Sequence, residues 1–231
     1  MAYGVILAGG SGTRMGTATP KQFLPLCGKP VIMHSVETFC SSEEIEGVVL
    51  VCRKDHMDEL RTLTAHLDKV MAIVPGGDTR QESVYAGLCA LKAKVPPKSI
   101  VLIHDGARPL VTHAIIADCA KTVAEHGSAN TVCPCQDTML ISDDGEYPKE
   151  QPPRNECYTV QTPQGFVLQD IIMAHILFMG RPERFHFTDD CGLYLVTRGK
   201  KSHLCKGDKR NLKITTPIDL AMAEAILTAE G

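Results

Sequence analysis

Short apolar runs alternate along the chain with longer stretches in which apolar residues recur at helical spacing. Runs of this length predict strands, and the spaced stretches predict amphipathic helices. The predicted strands are 4–8, 46–52, 71–74, 99–103, 129–135 and 202–206. The predicted helices are 31–39, 56–67, 81–93, 112–125, 167–178 and 217–229.

Strands that alternate with helices predict an α/β fold, here a doubly wound, Rossmann-like and mainly parallel sheet. Ligands of such sheets bind beyond the carboxyl ends of the strands, where the strand order reverses. Turns at Gly9, Gly76 and Asp105 each follow a predicted strand. We therefore expect these three turns to share one edge of the sheet.

Segment 138–158 breaks the alternation. Asp143-Asp144-Gly145 is typical of a hairpin turn, and 149–154 is polar and rich in proline. A long excursion in a compact domain often contacts a partner or closes over a site. The sequence therefore predicts a single domain, 1–231, with a protruding arm at 138–158.

Composition narrows the functional class. With 44% apolar and 22% charged residues and a net charge of -3, the chain is typical of a globular protein and not of a nucleic-acid binder. No apolar run approaches the roughly 20 residues that span a bilayer. The apolar start has no basic lead-in, so it predicts a strand and not a signal peptide. A cytoplasmic protein without membrane or nucleic-acid partners is expected.

The ten cysteines do not form a recognisable metal motif. No Cys-x-x-Cys occurs, and Cys133-Pro134-Cys135 is the only close pair. Structural zinc needs four ligands at characteristic spacings, which disfavours a zinc site at this pair. Cys52 and Cys119 lie inside apolar runs, so buried reduced thiols are the favoured interpretation.

A glycine-rich loop, LAGGSGTRMG at 7–16, follows the first strand. Glycines let the backbone approach phosphate, and successive N–H groups can bind an anion. The spacing differs from the dinucleotide and P-loop patterns. Arg14 inside the loop and Lys21 after it could, with a metal, neutralise most of a triphosphate. The alternative is a purely structural turn.

This loop resembles the signature of sugar-nucleotide pyrophosphorylase-type nucleotidyltransferases. Within them, Pro20-Lys21-Gln22 resembles the cytidylyltransferases that act on 2-C-methyl-D-erythritol 4-phosphate or ribitol 5-phosphate. The resemblance implies the nucleotide-diphospho-sugar transferase type of fold, a β-arm that joins a homodimer, and Mg²⁺ as cofactor. It also implies CTP and a polyol phosphate as substrates, with CTP contacts from Leu7, Ala8, Gly9, Gly10 and Gly12.

Segment 76–84, GGDTRQESV, resembles the base-reading segment of that family. The resemblance implies CTP contacts from Gly77, Asp78, Arg80 and Ser83, with Ser83 at the base. A serine at the start of a helix is also a common cap, and this alternative stays open.

Segment 104–109, HDGARP, closes the fourth predicted strand. A carboxylate there is well placed to hold Mg²⁺, so Asp105 is the candidate metal and substrate ligand. Arg108 could bind a substrate phosphate with two hydrogen bonds. A structural Asp105–Arg108 ion pair is the alternative.

Further resemblances lie in the second half of the chain. The resemblance implies that Thr138 and Arg154 on the arm contact the second substrate. It implies the same for Thr162, which begins TPQGF, and for Thr188, which begins TDD. Lys213 in NLKIT is implied as a cation at the reacting phosphorus. Read without the family, the threonines are caps or turn residues and Lys213 is a surface lysine.

The predicted chemistry is in-line attack of an acceptor phosphate on the α-phosphorus of CTP. That nucleophile is already anionic, so positioning and charge stabilisation suffice without a general base. Arg14, Lys21 and Lys213 are the predicted catalytic residues, because they can stabilise charge on the α-phosphate oxygens.

The acceptor stays open between two polyol phosphates. Methylerythritol phosphate is the first choice of acceptor, because its branch of the family is resembled by RQESV, HDxARP and QTPQGF. ILAGG and PKQFLPL resemble the ribitol 5-phosphate branch. A dehydrogenase is disfavoured because no acidic residue ends the second strand. A non-catalytic nucleotide-binding module is disfavoured because Arg14, Lys21, Asp105 and Lys213 are all present.

Overall fold

The structure is a computed structural model that describes residues 1–10, 19–180 and 187–230. Its strands are β1 (Ala2–Ala8), β2 (Pro25–Leu26), β3 (Lys29–Pro30), β4 (Ile45–Cys52), β5 (Val70–Pro75), β6 (Ile100–Asp105), β7 (Ser128–Pro134), β8 (Tyr158–Val167) and β9 (His203–Lys206). Its α-helices are α1 (Val31–Ser41), α2 (Met57–Thr64), α3 (Arg80–Lys92), α4 (His113–His126), α5 (Leu168–Met179), α6 (Asp190–Arg198) and α7 (Pro217–Glu230).

Seven strands form one twisted sheet in the order β5-β4-β1-β6-β8-β7-β9. Only β8 runs against its neighbours β6 and β7, so the predicted mainly parallel α/β fold is confirmed. The chain proceeds outward from β1 to β4 and β5, and then returns to β6 on the other side of β1. This reversal places a crevice at the carboxyl ends of β1 and β6.

Helices cover both faces of the sheet because alternate strand residues point to opposite sides. Ile6 and Ala8 of β1 belong to a core cluster covered by α1, α2 and α4. Val5 and Leu7 belong to a second cluster covered by α3, α5 and α6. A smaller third cluster joins β2 to α7.

Besides the two-residue strands β2 and β3, the apolar pattern missed strand β8 and helix α6. Strand β8 contains Gln161, Thr162 and Gln164 together with a proline and a glycine, so it has no apolar alternation. It nevertheless lies between β6 and β7, and these polar side chains are buried there. Helix α6 is only nine residues long and follows a polar segment. The predicted helix 56–67 is also shorter, because 54–56 forms a 3-10 turn and α2 ends at Thr64.

The predicted arm leaves the sheet at 135 and returns at 157, and nearly all of its residues are exposed. The turn lies where it was predicted, with Gly145 at φ 76° and Asp144 Oδ1 accepting from the backbone of Glu146. Between the limbs, the described residues form one isolated bridge, Ile141–Glu150. Apart from this bridge and the 3-10 turn at Arg154–Glu156, the arm, which lies wholly within the described residues, has no regular secondary structure.

The prediction of buried, reduced thiols is confirmed for the burial of five of the ten cysteines. Cys52 and Cys119 are buried, as expected, and all ten thiols are free. Cys27 and Cys89 are exposed, since they lie at a turn and on the outer side of α3. Among the residues described, no helix has the length and apolar character needed to cross a membrane.

Candidate active site

A cavity of about 1010 Å³ lies beyond the carboxyl ends of β1, β4, β5 and β6. The turns that follow these strands supply its wall, together with the segment before α7. The lining residues are Leu7, Gly9, Gly10, Lys21, Gln22, Arg53, Lys54, Asp55, Gly76, Gly77, Asp78, Thr79, Arg80, Ser83, Asp105, Ala107, Lys213 and Thr215.

The turn between β5 and α3 is packed tightly against the helix start. A Cβ on Gly76 would lie 2.6 Å from Ser83 Oγ, so a larger residue would displace this side chain. Ser83 Oγ accepts from the backbone N–H of Gly77 at 3.2 Å and donates to the carbonyl of Thr79 at 3.0 Å. Thr79, and not Ser83, caps α3, and Glu82 completes the capping box. Ser83 therefore fixes the glycine turn at the cavity wall.

Asp105 is the carboxylate at the end of β6, and cations surround it. Lys213 Nζ lies 2.7 Å from Oδ2, and Arg80 Nε lies 3.8 Å from Oδ1. Burial alone would raise the pKa of Asp105, but the charges of Arg80 and Lys213 outweigh burial and hold that pKa well below its usual range. The carboxylate is therefore ionised at neutral pH.

Arg80 joins the cavity to the buried start of α6. Its Nη2 lies 2.7 Å from Oδ2 of Asp190, which is fully buried. Burial opposes the charge on Arg80, but Asp190 and Asp105 raise its pKa above the usual value. Within the described residues, its buried Nε and Nη1 have no hydrogen-bond partner. The guanidinium thus retains donors that an anion in the cavity could use.

Lys21 and Lys213 reach the same cavity from opposite ends of the chain. Lys21 is buried, and its Nζ donates to the carbonyl of Ile214 at 2.7 Å. This contact attaches the residue after Lys213 to the turn that carries Lys21. Three of the four charged residues predicted at the phosphates, Lys21, Asp105 and Lys213, therefore lie together. Arg14 and Gly12 lie outside the described residues.

A hydrogen-bond chain behind the cavity holds the end of β6. The backbone N–H of Asp105 donates to Thr162 Oγ1 at 3.1 Å. The Thr162 oxygen is the acceptor in this bond, so its own hydrogen can be donated to His104 Nδ1, also at 3.1 Å. His104 Nε2 then donates to the carbonyl of Arg108 at 3.2 Å. Burial lowers the pKa of His104 to about 4, so the ring is neutral and this tautomer is consistent. Thr162 is buried in this chain and does not line the cavity.

Arg108 is tied to backbone groups. Its Nη1 donates to the carbonyl of Asn211 at 2.7 Å and its Nη2 to that of Val160 at 3.2 Å. The hydrogen-bonded partner of Asp105 is Lys213, so the alternative of a simple Asp105–Arg108 pair does not describe this site. Arg108 instead links the β6 turn to the segment before α7.

The other predicted residues fall in two places. The CTP residues Leu7, Gly9, Gly10, Gly77, Asp78, Arg80 and Ser83 line the cavity. Ala8 is buried in the core, where only its backbone could serve a ligand. Thr138 and Arg154 on the arm and Thr188 before α6 are exposed and outside the lining. The structure does not bring these three to the cavity.

A metal would need ligands from the substrate. The described residues contain no group of three or more histidine, cysteine, aspartate or glutamate side chains suited to a metal ion. Mg²⁺ commonly binds one or two carboxylates together with substrate phosphates. Asp105 fits that role, because it is an ionised carboxylate on the cavity wall and its Oδ1 lies beyond hydrogen-bond distance of Arg80.

The sequence patterns missed several residues of the wall and its support. Arg53, Lys54 and Asp55 follow β4 and line the cavity, and their position after a strand was the available signal. Asp190 and His175 are buried behind Arg80, with His175 Nε2 3.6 Å from Asp190 Oδ1. Asp190 is part of the TDD segment, in which only Thr188 was singled out, and no local pattern identifies His175.

Comparison with known proteins gives a consistent result. The family model described as IspD, 2-C-methyl-D-erythritol 4-phosphate cytidylyltransferase, matches residues 2–229. The chain is 40% identical to a 2-C-methyl-D-erythritol 4-phosphate cytidylyltransferase of Desulforamulus reducens, over 96% of this chain and 94% of that protein. It is 38% identical to a ribitol-5-phosphate cytidylyltransferase of Vibrio parahaemolyticus, over 100% and 97% of the two chains.

Solved structures agree on the fold. A 4-diphosphocytidyl-2C-methyl-D-erythritol synthase of Anaerococcus prevotii superposes with a TM-score of 0.84 at 29% identity, covering 98% of both chains. A 2-C-methyl-D-erythritol 4-phosphate cytidylyltransferase of Thermus thermophilus gives 0.77 at 28% identity, covering 99% of this chain and 100% of that one.

Proposed function

Because the chain belongs to the IspD family of CTP-dependent cytidylyltransferases, we propose that it transfers CMP from CTP to 2-C-methyl-D-erythritol 4-phosphate. The products are 4-diphosphocytidyl-2-C-methyl-D-erythritol and pyrophosphate, which assigns the enzyme to isoprenoid precursor synthesis. One observation carries the proposal: Lys21, Asp105 and Lys213 meet at a cavity whose wall contains the two predicted glycine turns.

The reaction needs charge stabilisation more than proton transfer. An oxygen of the acceptor phosphate attacks the α-phosphorus of CTP, and the bond to the pyrophosphate oxygen breaks. Lys21 and Lys213, with Arg14, stabilise the charge that builds on the α-phosphate oxygens. Arg80 offers its remaining donors to the nucleotide. Magnesium that arrives with CTP would be held by Asp105 and would supply further neutralisation of the phosphate oxygens.

The glycine turn at Gly76 and Gly77 is the proposed base-reading surface. Its backbone is held by Ser83, so its polar groups are fixed before CTP binds. Preorganised donors and acceptors recognise a base edge without an ordering cost on binding. Asp78 and Ser83 complete this proposed surface at the cavity wall.

Methylerythritol phosphate is preferred as acceptor because the matching family model is that of its cytidylyltransferase. Ribitol 5-phosphate is the second candidate. The Vibrio parahaemolyticus relative that matches the whole chain is a ribitol-5-phosphate cytidylyltransferase. Both acceptors offer a phosphate and several hydroxyls, so the same site chemistry serves either.

The deciding experiment supplies the purified chain with CTP, Mg²⁺ and each acceptor in turn, and measures pyrophosphate release. We expect release with methylerythritol phosphate and a much smaller specificity constant with ribitol 5-phosphate. The reverse order would assign the second candidate. Replacement of Lys21 by Ala should lower kcat by about 10²–10³-fold, the cost of losing one preorganised charge-stabilising group.

The arm supports a proposed homodimer. Met139, Leu140 and Ile141 are exposed on it, as is Tyr147 near its tip. These exposed apolar side chains would be covered by a second copy, whose site would then receive Thr138 and Arg154. Sedimentation should give twice the chain mass, and deletion of the arm should give the monomer. A cytoplasmic location is proposed with this function.

A further inference from the structure

Two half-buried cysteines oppose each other across the base of the arm. Strands β7 and β8 are antiparallel, with Cys133 opposite Thr159 and Pro134 opposite Tyr158. The same register places Cys135 opposite Cys157. The backbone N–H of Cys135 donates to the carbonyl of Cys157 at 2.9 Å, which extends the ladder by one position.

The opposed positions predict a Cα separation suitable for a disulfide. Directly opposed residues of antiparallel strands have Cα atoms about 4.5–5.5 Å apart and side chains on one face. Disulfides need a Cα separation of about 4.4–6.8 Å. Each thiol makes a weak contact within the described residues, Cys135 with the carbonyl of Asp137 and Cys157 with that of Pro153, both at 3.5 Å. Rotation about each Cα–Cβ bond is therefore not blocked by core packing.

Among the other cysteines, Cys119 and Cys205 also lie within hydrogen-bond reach of each other, but both are buried in the core, away from an oxidant in solution. Burial raises the pKa of Cys52 and of half-buried Cys40 to about 11, and thiols of raised pKa are poor nucleophiles. Cys27 and Cys89 are exposed, but they lie on different elements, at the turn after β2 and on α3. They are the natural controls.

We propose that Cys135 and Cys157 form a reversible disulfide that closes the neck of the arm. The oxidant is a small-molecule disulfide such as oxidised glutathione. One cysteine thiolate attacks it, which releases one glutathione and leaves a mixed disulfide. The second cysteine thiolate then displaces the other glutathione. Two electrons pass to the oxidant, and the two cysteine protons end on the two released thiols.

The disulfide would act on the neighbouring arm residues. Thr138 follows Cys135 by three positions, and Arg154 precedes Cys157 by three. A covalent link at the neck fixes the separation of the two limbs that carry them. A change in the KM for the polyol phosphate on oxidation is expected, and this consequence alone rests on the proposed function.

Limited trypsin digestion of the full chain tests the disulfide without any activity assay. Lys149 and Arg154 are exposed within the loop that the link would close. After incubation with oxidised glutathione, cleavage there should give two fragments that stay together on a non-reducing gel and separate on a reducing one. The intact oxidised chain should weigh less than the reduced chain by two hydrogen atoms.

The controls separate the possible outcomes. C135S and C157S should each lose the linked fragments, whereas the double variant C27S/C89S should keep them. Three results would each overturn the proposal. They are fragments that separate without reductant, a chain that carries two stable glutathione adducts, and two chains joined by a disulfide. If the KM for the acceptor is the same in the oxidised and the reduced wild type, the proposed effect on the arm is wrong. The gel result tests the presence of the disulfide independently of this KM.

Discussion

Replacement of Asp190 by Asn removes the negative charge from the buried ion pair between Asp190 and Arg80. Asp190 is fully buried and accepts from Arg80 Nη2 at 2.7 Å, while the Arg80 side chain is 22% exposed. Loss of one partner from a buried pair costs about 3–5 kcal/mol, because the other charge remains without compensation. Asp105 still lies 3.8 Å from Arg80 Nε and offsets part of this cost. We expect a loss of about 3 kcal/mol in the free energy of unfolding.

Urea denaturation measures this loss as a lower midpoint at an unchanged slope. Asp143→Asn is the matched control, since the same atoms change in an ion pair with Lys149 that is exposed on both sides. Exposed pairs contribute about 0–1 kcal/mol, so this variant should stay close to the wild type. A D190N variant no less stable than D143N would refute the buried pairing of Asp190 with Arg80.

The pH dependence of the D190N effect gives an independent check. Burial acts to raise the pKa of Asp190, but Arg80 and His175 together outweigh it, and the pKa lies below its usual value. A lowered pKa in the folded state stabilises the protein above the unfolded pKa of about 3.9. That stabilisation is lost as the pH falls further through the folded pKa. The difference between wild type and D190N should therefore be full at neutral pH and shrink below about pH 4.

Three further predictions concern the site and the core. Lys213→Ala should lower kcat for pyrophosphate release by about 10²–10³-fold, while exposed Lys209→Ala should not, and equal rates would remove Lys213 from the chemistry. The ring proton of His104 should show no NMR titration above about pH 5, because burial lowers its pKa to about 4, and a midpoint near the usual 6.5 would contradict its neutral role. Gly165→Ala should cost about 1–3 kcal/mol in urea denaturation, since its Cβ would lie 2.9 Å from a core leucine. At Gly180 the nearest atom in the described part of the chain is 3.7 Å from the added Cβ, so Gly180→Ala should be close to neutral, and an equal effect of both variants would argue against overpacking.

The net charge of the chain says little about its site. The sequence is acidic overall, at -3, yet Lys21, Arg53, Lys54, Arg80 and Lys213 all line one cavity. The carboxylates on the same wall are fewer and partly paired with them. The fold thus concentrates positive charge where a triphosphate is proposed to bind, and the acidic residues are spread over the remaining surface.

The sequence by itself determined the elements with strong periodicity and the positions of the glycine turns. Strands β1, β4, β5 and β6 and most helices lie within a few residues of their predicted bounds, because apolar alternation is a local property. Strand β8 escaped prediction, since its polar side chains are satisfied by neighbours across the sheet. Gln164, for example, donates to Asn130 at 2.9 Å and accepts from the backbone of Asp190.

The tertiary structure alone decided which charges meet. Lys213 reaches Asp105 across 108 positions, and Lys21 reaches Ile214 across 193. Such contacts depend on the strand order and on how α7 packs, which local propensity does not encode. The same is true of the buried Arg80–Asp190 pair and of the ladder that brings Cys135 opposite Cys157. Motif residues can be recognised along a chain, but their distances and protonation states exist only once the sheet has assembled around them.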